Sequence, residues 1–314
     1  MIKKRLLLLC VLATLLSNNF AYGAKKKPVP LPVQTSLVID SKTGKILHEK
    51  NSTTKIYPAS LTKVMTLYLL FESIESGKFS LNKRLLVSHN AEKMPPSRLG
   101  VKKGEYITVR EAIGALATKS ANDVAVVVAE NIAGTESRFV KIMNARARQL
   151  GMKDTNFANA SGWHNPKQKT TAKDLAKLSI AIKRDYLPYY KFLSKNSFVF
   201  RGKVVRGHNR VNERYVGSEG IKTGYTTPSG YNLITAATRE NVSLIGIVTG
   251  GRSATSRDQQ MIQLLDTHFN KRQISKTATT VAHQSKSNEN KKIIIVAANN
   301  KKNKKLRKIQ KSNV

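Results

Sequence analysis

Residues 35–40 and 45–50 carry a strand-like pattern of apolar and polar positions. Ser41-Lys42-Thr43-Gly44 lies between them and supplies turn residues, so the pair is predicted as a β-hairpin. From residue 60 to 76 the pattern becomes helical. Leu61, Val64, Met65, Leu67, Tyr68, Leu69, Leu70 and Phe71 make this segment apolar almost all round. A helix without a polar face is buried inside a domain, and Gly77 is a natural stop. Thr108 and Glu111 have capping-box spacing, which predicts a helix running to about Ala117. Helices are also expected over 122–133, 135–150 and 171–183, the first two closed by Gly134 and Gly151. Strand patterns follow over 197–200, 231–239 and 243–248. The last two are separated by a short turn at Glu240-Asn241, so they pair antiparallel. A long helix over 257–269 comes next. This order predicts an α/β protein in the loose sense, more strictly α+β. An antiparallel sheet is built from both ends of the chain and flanked by helices, and the middle forms a mostly helical second subdomain.

Composition changes the picture mainly through charge. The chain has 314 residues, 40% of them hydrophobic, with 55 Lys plus Arg against 19 Asp plus Glu, a formal net charge of +36. Such a charge invites a nucleic-acid reading, but its distribution argues otherwise. Residues 1–30 hold six basic residues and no acid, and residues 271–314 hold thirteen basic residues and only Glu289. Half of the net charge therefore lies at the two ends. No nucleic-acid-binding signature appears, and aromatic content is 6%. Lys3-Lys4-Arg5, the apolar run from Leu6 to Leu16 and the small residues of Ala21-Tyr22-Gly23 read as an export signal over 1–23. The run is too short to span a bilayer. The only cysteine, Cys10, lies inside it, so the mature chain is expected to have neither disulfide nor thiol chemistry. The expected location is the periplasm or the outer face of the cytoplasmic membrane. Residues 271–314 read as a flexible basic tail. Its apolar run 293–298, flanked by lysines, suits an anionic membrane surface.

Three short segments carry candidate chemistry. Ser60-Leu61-Thr62-Lys63 sets a hydroxyl and an amine three residues apart at the start of the buried helix, where they share a face. A helix N-terminus favours an anion forming beside Ser60. A neutral Lys63 would take the serine proton, and neutrality at pH 7 requires burial and a second cation nearby. Ser-x-x-Lys by itself is common on ordinary helices. A lysine inside an apolar helix is not. Ser120-Ala121-Asn122 offers a relay hydroxyl and an amide between two helices, though it is also an ordinary turn pattern. Lys222-Thr223-Gly224 suits a carboxylate at a strand edge, with glycine admitting a substrate backbone. The tripeptide is not specific by itself, because Lys42-Thr43-Gly44 repeats it in the expected hairpin turn.

The combination is specific. Ser-x-x-Lys, then Ser-x-Asn 60 residues on, then Lys-Thr-Gly 102 residues further, is the ordered triplet of penicillin-recognising serine enzymes. Tyr57-Pro58-Ala59 before Ser60, Asp123 after Asn122, Gly220-Ile221 before Lys222, Ser229-Gly230-Tyr231-Asn232-Leu233 and Gly250-Gly251-Arg252 narrow it further. Over about residues 30–270 the chain resembles the D-alanyl-D-alanine carboxypeptidase family. The resemblance implies a β-lactamase/transpeptidase-like fold, no cofactor, peptidoglycan stem peptides as substrate and β-lactam antibiotics as acylating agents. It implies Ser60 as nucleophile, Lys63 as its base and Ser120 as proton relay to the leaving amine. Asn122 would hold the peptide carbonyl and Lys222 complete the electrostatic network. Thr223 and Arg257 would bind the terminal carboxylate, with Arg252 competing for the second place. Gly224 would admit the substrate, and the N–H groups of Ser60 and Tyr225 would form the oxyanion hole. Many family members continue into a β-rich domain and an amphipathic anchor. The 44 residues after 270 are too few for that domain. Tyr225 after the Lys-Thr-Gly is a further departure that bears on the site.

Other readings stay open from sequence. A D,D-endopeptidase would use the same triplet. A class A-type β-lactamase is disfavoured by Ala121 in the second motif and by the lack of a convincing Glu-x-x-x-Asn loop before Lys222. An exported envelope-binding module acting through the basic tail is the reading from another class. The six histidines are scattered without ligand spacing, so no metal is expected, and His164 reads as a loop residue.

Overall fold

The computed structural model describes residues 32–271. The export segment read over 1–23 and the tail beyond 271, with its apolar run, lie outside the described residues.

Five antiparallel strands form the main sheet in the order β2-β1-β9-β8-β7. They are β1 (Thr35–Asp40), β2 (Ile46–Lys50), β7 (Ser218–Thr226), β8 (Gly230–Arg239) and β9 (Val242–Gly251). Lys42-Thr43-Gly44 lies in the β1–β2 turn, tied down by the Asp40 carboxylate, which accepts from the N–H groups of Lys42 and Thr43 at 3.1 and 2.8 Å. Every residue of β1 and β9 is buried. A sheet covered on both faces shows why: alternate residues serve two different cores. Leu37, Ile39, Ile245 and Ile247 join the large core shared with the helical part. Val38, Leu244 and Val248 join a smaller core with Met261, Leu265 and Phe269 of the helix over 254–271.

The middle of the chain forms the helical part. Helix α1 (Lys63–Glu75) runs through its centre with ten buried residues, as its all-round apolar pattern requires. Around it lie α2 (Val109–Gly114), α3 (Asn122–Ala133), α4 (Glu136–Gln149) and α5 (Ala172–Asp185); α6 is the helix over 254–271. Helices α2, α4 and α5 open on Thr108, Thr135 and Thr171, whose hydroxyls accept from the backbone three residues on. The capping box at Thr108–Glu111 is complete. Two short hairpins sit at the periphery: β3 (Arg84–Leu86) with β4 (Tyr106–Thr108), and β5 (Ser197–Phe200) with β6 (Lys203–Arg206).

Three differences from the sequence-based expectation bear on the site. The helix expected from residue 60 begins instead with a 3-10 turn, Ala59–Thr62, and becomes α-helical only at Lys63. The Leu61 N–H reaches back to the Pro58 carbonyl at 3.2 Å, so Ser60 stands in a tight turn ahead of the α-helical ladder. The helix expected to about Ala117 is α-helical only to Gly114. It then widens into a π turn, Ala115–Lys119, and ends on Ser120 in the left-handed conformation, φ 62°. Strand β7 was foreseen only as an edge position before β8, because its glycines and polar residues show no alternation. Pairing with β8 makes it a nine-residue strand.

Candidate active site

Ser60, Ser120, Asn122, Thr223, Gly224, Tyr225 and Arg257 line one cleft of about 710 Å³, with Trp163, Tyr231 and His208 also in its wall. Lys63 and Lys222 lie beneath it, 0% and 2% exposed. All nine residues singled out from the sequence thus converge, although the chain separates the first from the last by 197 positions.

Each comes from a distinct structural device. The 3-10 turn presents Ser60, and Lys63 one turn on points back toward it. The Lys63 Nζ lies 2.9 Å from Ser60 Oγ, 2.7 Å from Asn122 Oδ1 and 2.6 Å from the Ser161 carbonyl. The Asn122 amide is oriented by its NH2, which donates to the Pro95 carbonyl at 3.0 Å, so its oxygen faces the lysine. Two of the lysine's three neighbours are therefore carbonyl-type oxygens that can only accept. A neutral amine satisfies both with its two N–H bonds and leaves its lone pair for the one neighbour that can donate, Ser60 Oγ–H. The left-handed turn at Ser120 aims a second hydroxyl at Lys222, whose Nζ donates to Ser120 Oγ and to the Thr223 carbonyl, both at 2.9 Å. Non-glycine residues in this conformation store about 1–3 kcal/mol of strain. Ala59, beside the other serine, is also left-handed, φ 48°.

The electrostatics favour a neutral Lys63. Burial pushes its amine well below the ordinary lysine range, and the nearby Lys222 adds to this; Asp123 opposes. Burial and then the Arg257 guanidinium push Lys222 down to about 7. Asp123, which sequence reading left without a role, is held by the N–H groups of Leu99, Gly100 and Val124 at 3.0, 2.8 and 2.9 Å.

Strand β7 closes the cleft from the sheet side. It is the sheet's edge, and it passes so near the serine turn that a Cβ on Gly224 would lie 3.1 Å from Ser60 N and from Pro58 O. This brings the Tyr225 backbone alongside Ser60, while its ring, 52% exposed, packs at 4.3 Å on Tyr231. Arg257 is 4% exposed and bonds Asp258 Oδ1 and the Asn232 carbonyl at 2.8 and 2.9 Å. Arg252 is exposed and lines a neighbouring hollow instead, so the cleft holds Arg257.

Sequence reading missed two parts of the frame. The Asn232 side chain donates to the Tyr57 and Pro58 carbonyls at 3.1 and 3.3 Å and accepts from Gly250 N at 3.0 Å, pinning the serine turn to β8 and β9. An asparagine inside a mostly apolar strand pattern was the available signal, and it is 0% exposed. The second is the backbone of Ser161-Gly162. The Ser161 contribution is a carbonyl, which every residue possesses, so no residue type announces it. His164, read as a loop residue, is exposed and packs edge-on against Tyr57 at 5.0 Å; the cleft wall at this point is Trp163. Among the described residues no group of three His, Cys, Asp or Glu converges as a metal site.

The family model described as D-alanyl-D-alanine carboxypeptidase matches residues 24–253. D-alanyl-D-alanine carboxypeptidase DacF of Bacillus subtilis is 32% identical over 271 residues, 84% of this chain and 69% of the relative. D-alanyl-D-alanine carboxypeptidase DacA of Escherichia coli is 32% identical over 248 residues, 76% of this chain and 61% of the relative. The chain therefore spans somewhat under two thirds to just over two thirds of these relatives' length. The crystal structure of penicillin binding protein 5 from Haemophilus influenzae superposes with a TM-score of 0.73 at 31% identity, covering 78% of this chain and 72% of that one. That match supports the helix-flanked antiparallel architecture described above. With a family model spanning most of the chain and curated relatives at 32% identity, the chain belongs to the D-alanyl-D-alanine carboxypeptidase family of serine-type hydrolases.

Proposed function

We propose that the protein is a serine D-alanyl-D-alanine carboxypeptidase. It removes the terminal D-alanine from peptidoglycan stem peptides through an acyl-enzyme on Ser60, and penicillins acylate the same serine. The observation that carries this reading is the buried Lys63 amine 2.9 Å from Ser60 Oγ, with its other contacts taken by two acceptors. Ser60 attacks the carbonyl of the scissile amide as Lys63 takes its proton. The N–H groups of Ser60 and Tyr225 receive the oxyanion, each donor worth about 10²–10³ in rate. The proton passes through Ser120, held by Lys222, to the departing nitrogen, and D-alanine leaves. Asn122 aligns the donor peptide, and Thr223 with Arg257 binds its terminal carboxylate. Water then hydrolyses the ester and restores Ser60.

A defined pentapeptide ending in D-alanyl-D-alanine should release one equivalent of D-alanine. A fluorescent penicillin should label the wild-type protein and fail to label Ser60→Ala. Labelling that survives the substitution would show that Ser60 is not the nucleophile. Cleavage of cross-linked dimers without release of D-alanine would make the enzyme an endopeptidase instead.

The reading also locates the enzyme at the envelope: residues 1–23 direct export, and the basic residues beyond 271 hold the catalytic unit near an anionic surface. Deleting residues 272–314 should sharply reduce sedimentation with anionic vesicles at low salt. Undiminished binding would dismiss the tail as the attachment.

A further inference from the structure

We propose that the catalytic cleft continues into a cationic groove that binds a second carboxylate on the substrate peptide, upstream of its D-alanyl-D-alanine end. The inference rests on the carboxypeptidase reading above. A hollow of about 630 Å³ lies between the 98–100 loop and the β5–β6 hairpin. It shares Arg98 and Lys119 with the catalytic cleft, so the two adjoin. Its wall holds five cations (Arg98, Lys119, Arg201, Lys203 and Arg206) and no acid. Glu105 meets Arg201 at 2.9 Å. Among the described residues no carboxylate stands within ion-pair distance of the other four.

A basic surface is expected on a chain of net charge +36. Three features separate this one from the background: it is concave, four of its five positive charges are uncompensated, and it adjoins the site. Like-signed charges converging on a hollow focus the field there and raise the local concentration of an anion.

The direction of the groove selects the substrate end. Lys119 directly precedes Ser120. Arg98 follows Ser97, whose carbonyl accepts from Asn122 N at 2.7 Å and whose hydroxyl donates to the Lys119 carbonyl at 3.0 Å. The groove therefore leaves from the Ser120–Asn122 side, where the donor peptide is aligned, and Thr223 and Arg257 take no part in its wall. The terminal carboxylate has its own partners in Thr223 and Arg257, so a second anion belongs to the chain N-terminal to the scissile bond. Four of the five cations are exposed, on long side chains whose charged ends can meet a carboxylate over a range of positions. The preferred substrate is accordingly a peptide with a free carboxylate one to three residues upstream.

The test uses paired peptides ending in D-alanyl-D-alanine that carry Glu or Gln at the first, second or third upstream position. Wild type should favour Glu in kcat/KM at one of these positions by on the order of 3–10-fold at low salt, and the ratio should shrink as salt rises. The double variant R98Q/K119Q should bring the ratio near unity, and because a ratio is read, a uniform loss of activity cannot imitate the result. Fluorescence anisotropy of the same labelled peptides on the full-length S60A protein reads the groove without turnover. If no peptide is hydrolysed, the carboxypeptidase reading fails while the binding ratio still decides the groove. Equal rates and equal affinities for Glu and Gln at all three positions would overturn the inference. So would a preference that survives R98Q/K119Q. Equal affinity for both peptides combined with tight binding of a phosphate polymer would give the groove to an anionic wall polymer, and would also overturn it.

Discussion

Lys63 and Lys222 illustrate how two identical residue types take different work from their surroundings. Both are buried and both are pushed toward neutrality, Lys63 by burial and the neighbouring cation, Lys222 by burial and Arg257. On the proposed mechanism acylation needs Lys63 without its proton, so its rate should rise with pH through the lowered value of this lysine. The Lys222 charge favours the neutral form of Lys63. Replacing it, Lys222→Met, removes that repulsion and lets the Lys63 value rise. The acid limb of the penicillin-acylation profile should therefore move to higher pH, in addition to an overall loss on the order of 10–10³ because Ser120 loses its partner. Stopped-flow acylation across pH measures both effects. A limb that stays in place while the rate falls would mean that the two lysines do not communicate.

At the scale of elements, the site depends on segments that meet without any sequence pattern to say so. Gly162 is the clearest case. It is left-handed, φ 81°, and a Cβ there would stand 1.9 Å from the Ala59 carbonyl oxygen. The loop that gives Lys63 its Ser161 contact is thus pressed directly against the turn that carries Ser60. Gly162→Ala should displace both, lowering stability by about 2–3 kcal/mol and acylation by about 100-fold. Thermal unfolding and penicillin labelling read these separately, and near-wild-type behaviour in both would show the contact to be slack. Local sequence was informative where one segment specifies itself. The all-round apolar helix and the capping box at Thr108–Glu111 are of this kind. It was uninformative for β7, whose Gly220, Lys222 and Gly224 lack strand alternation and become a strand only when β8 supplies the hydrogen bonds. The π turn before Ser120 belongs with β7. An extra residue in a helical turn leaves no periodic trace, yet it sets where the second serine points.

For the whole molecule, the sheet is assembled from distant parts of the chain: β1 pairs with β9 across some 200 residues, and α6 covers its far side. A chain beginning at residue 51 keeps every motif residue but loses β1 and β2. It should lose cooperative unfolding and penicillin labelling together, because Ile245 and Ile247 would be stripped of their β1 neighbours and β9 would become an edge. Circular dichroism melts and labelling of that fragment check this, and a labelled, cooperatively folded fragment would mean that the helical part organises the site unaided. The sequence by itself singled out the residues that converge on the cleft, since Ser-x-x-Lys, Ser-x-Asn and Lys-Thr-Gly in this order combine side-chain types that few other arrangements require. It also determined the buried helix, through a periodicity local to one segment. Only the tertiary structure decided how the residues act together. It oriented the Asn122 amide, placed the Ser161 carbonyl, set Asn232 as the tie between the sheet and the Ser60 turn, and put Arg257 rather than Arg252 in the cleft. The physical reason is that desolvation, hydrogen-bond direction and the field of one lysine on another depend on distances between segments far apart in the chain, and no periodicity records those distances.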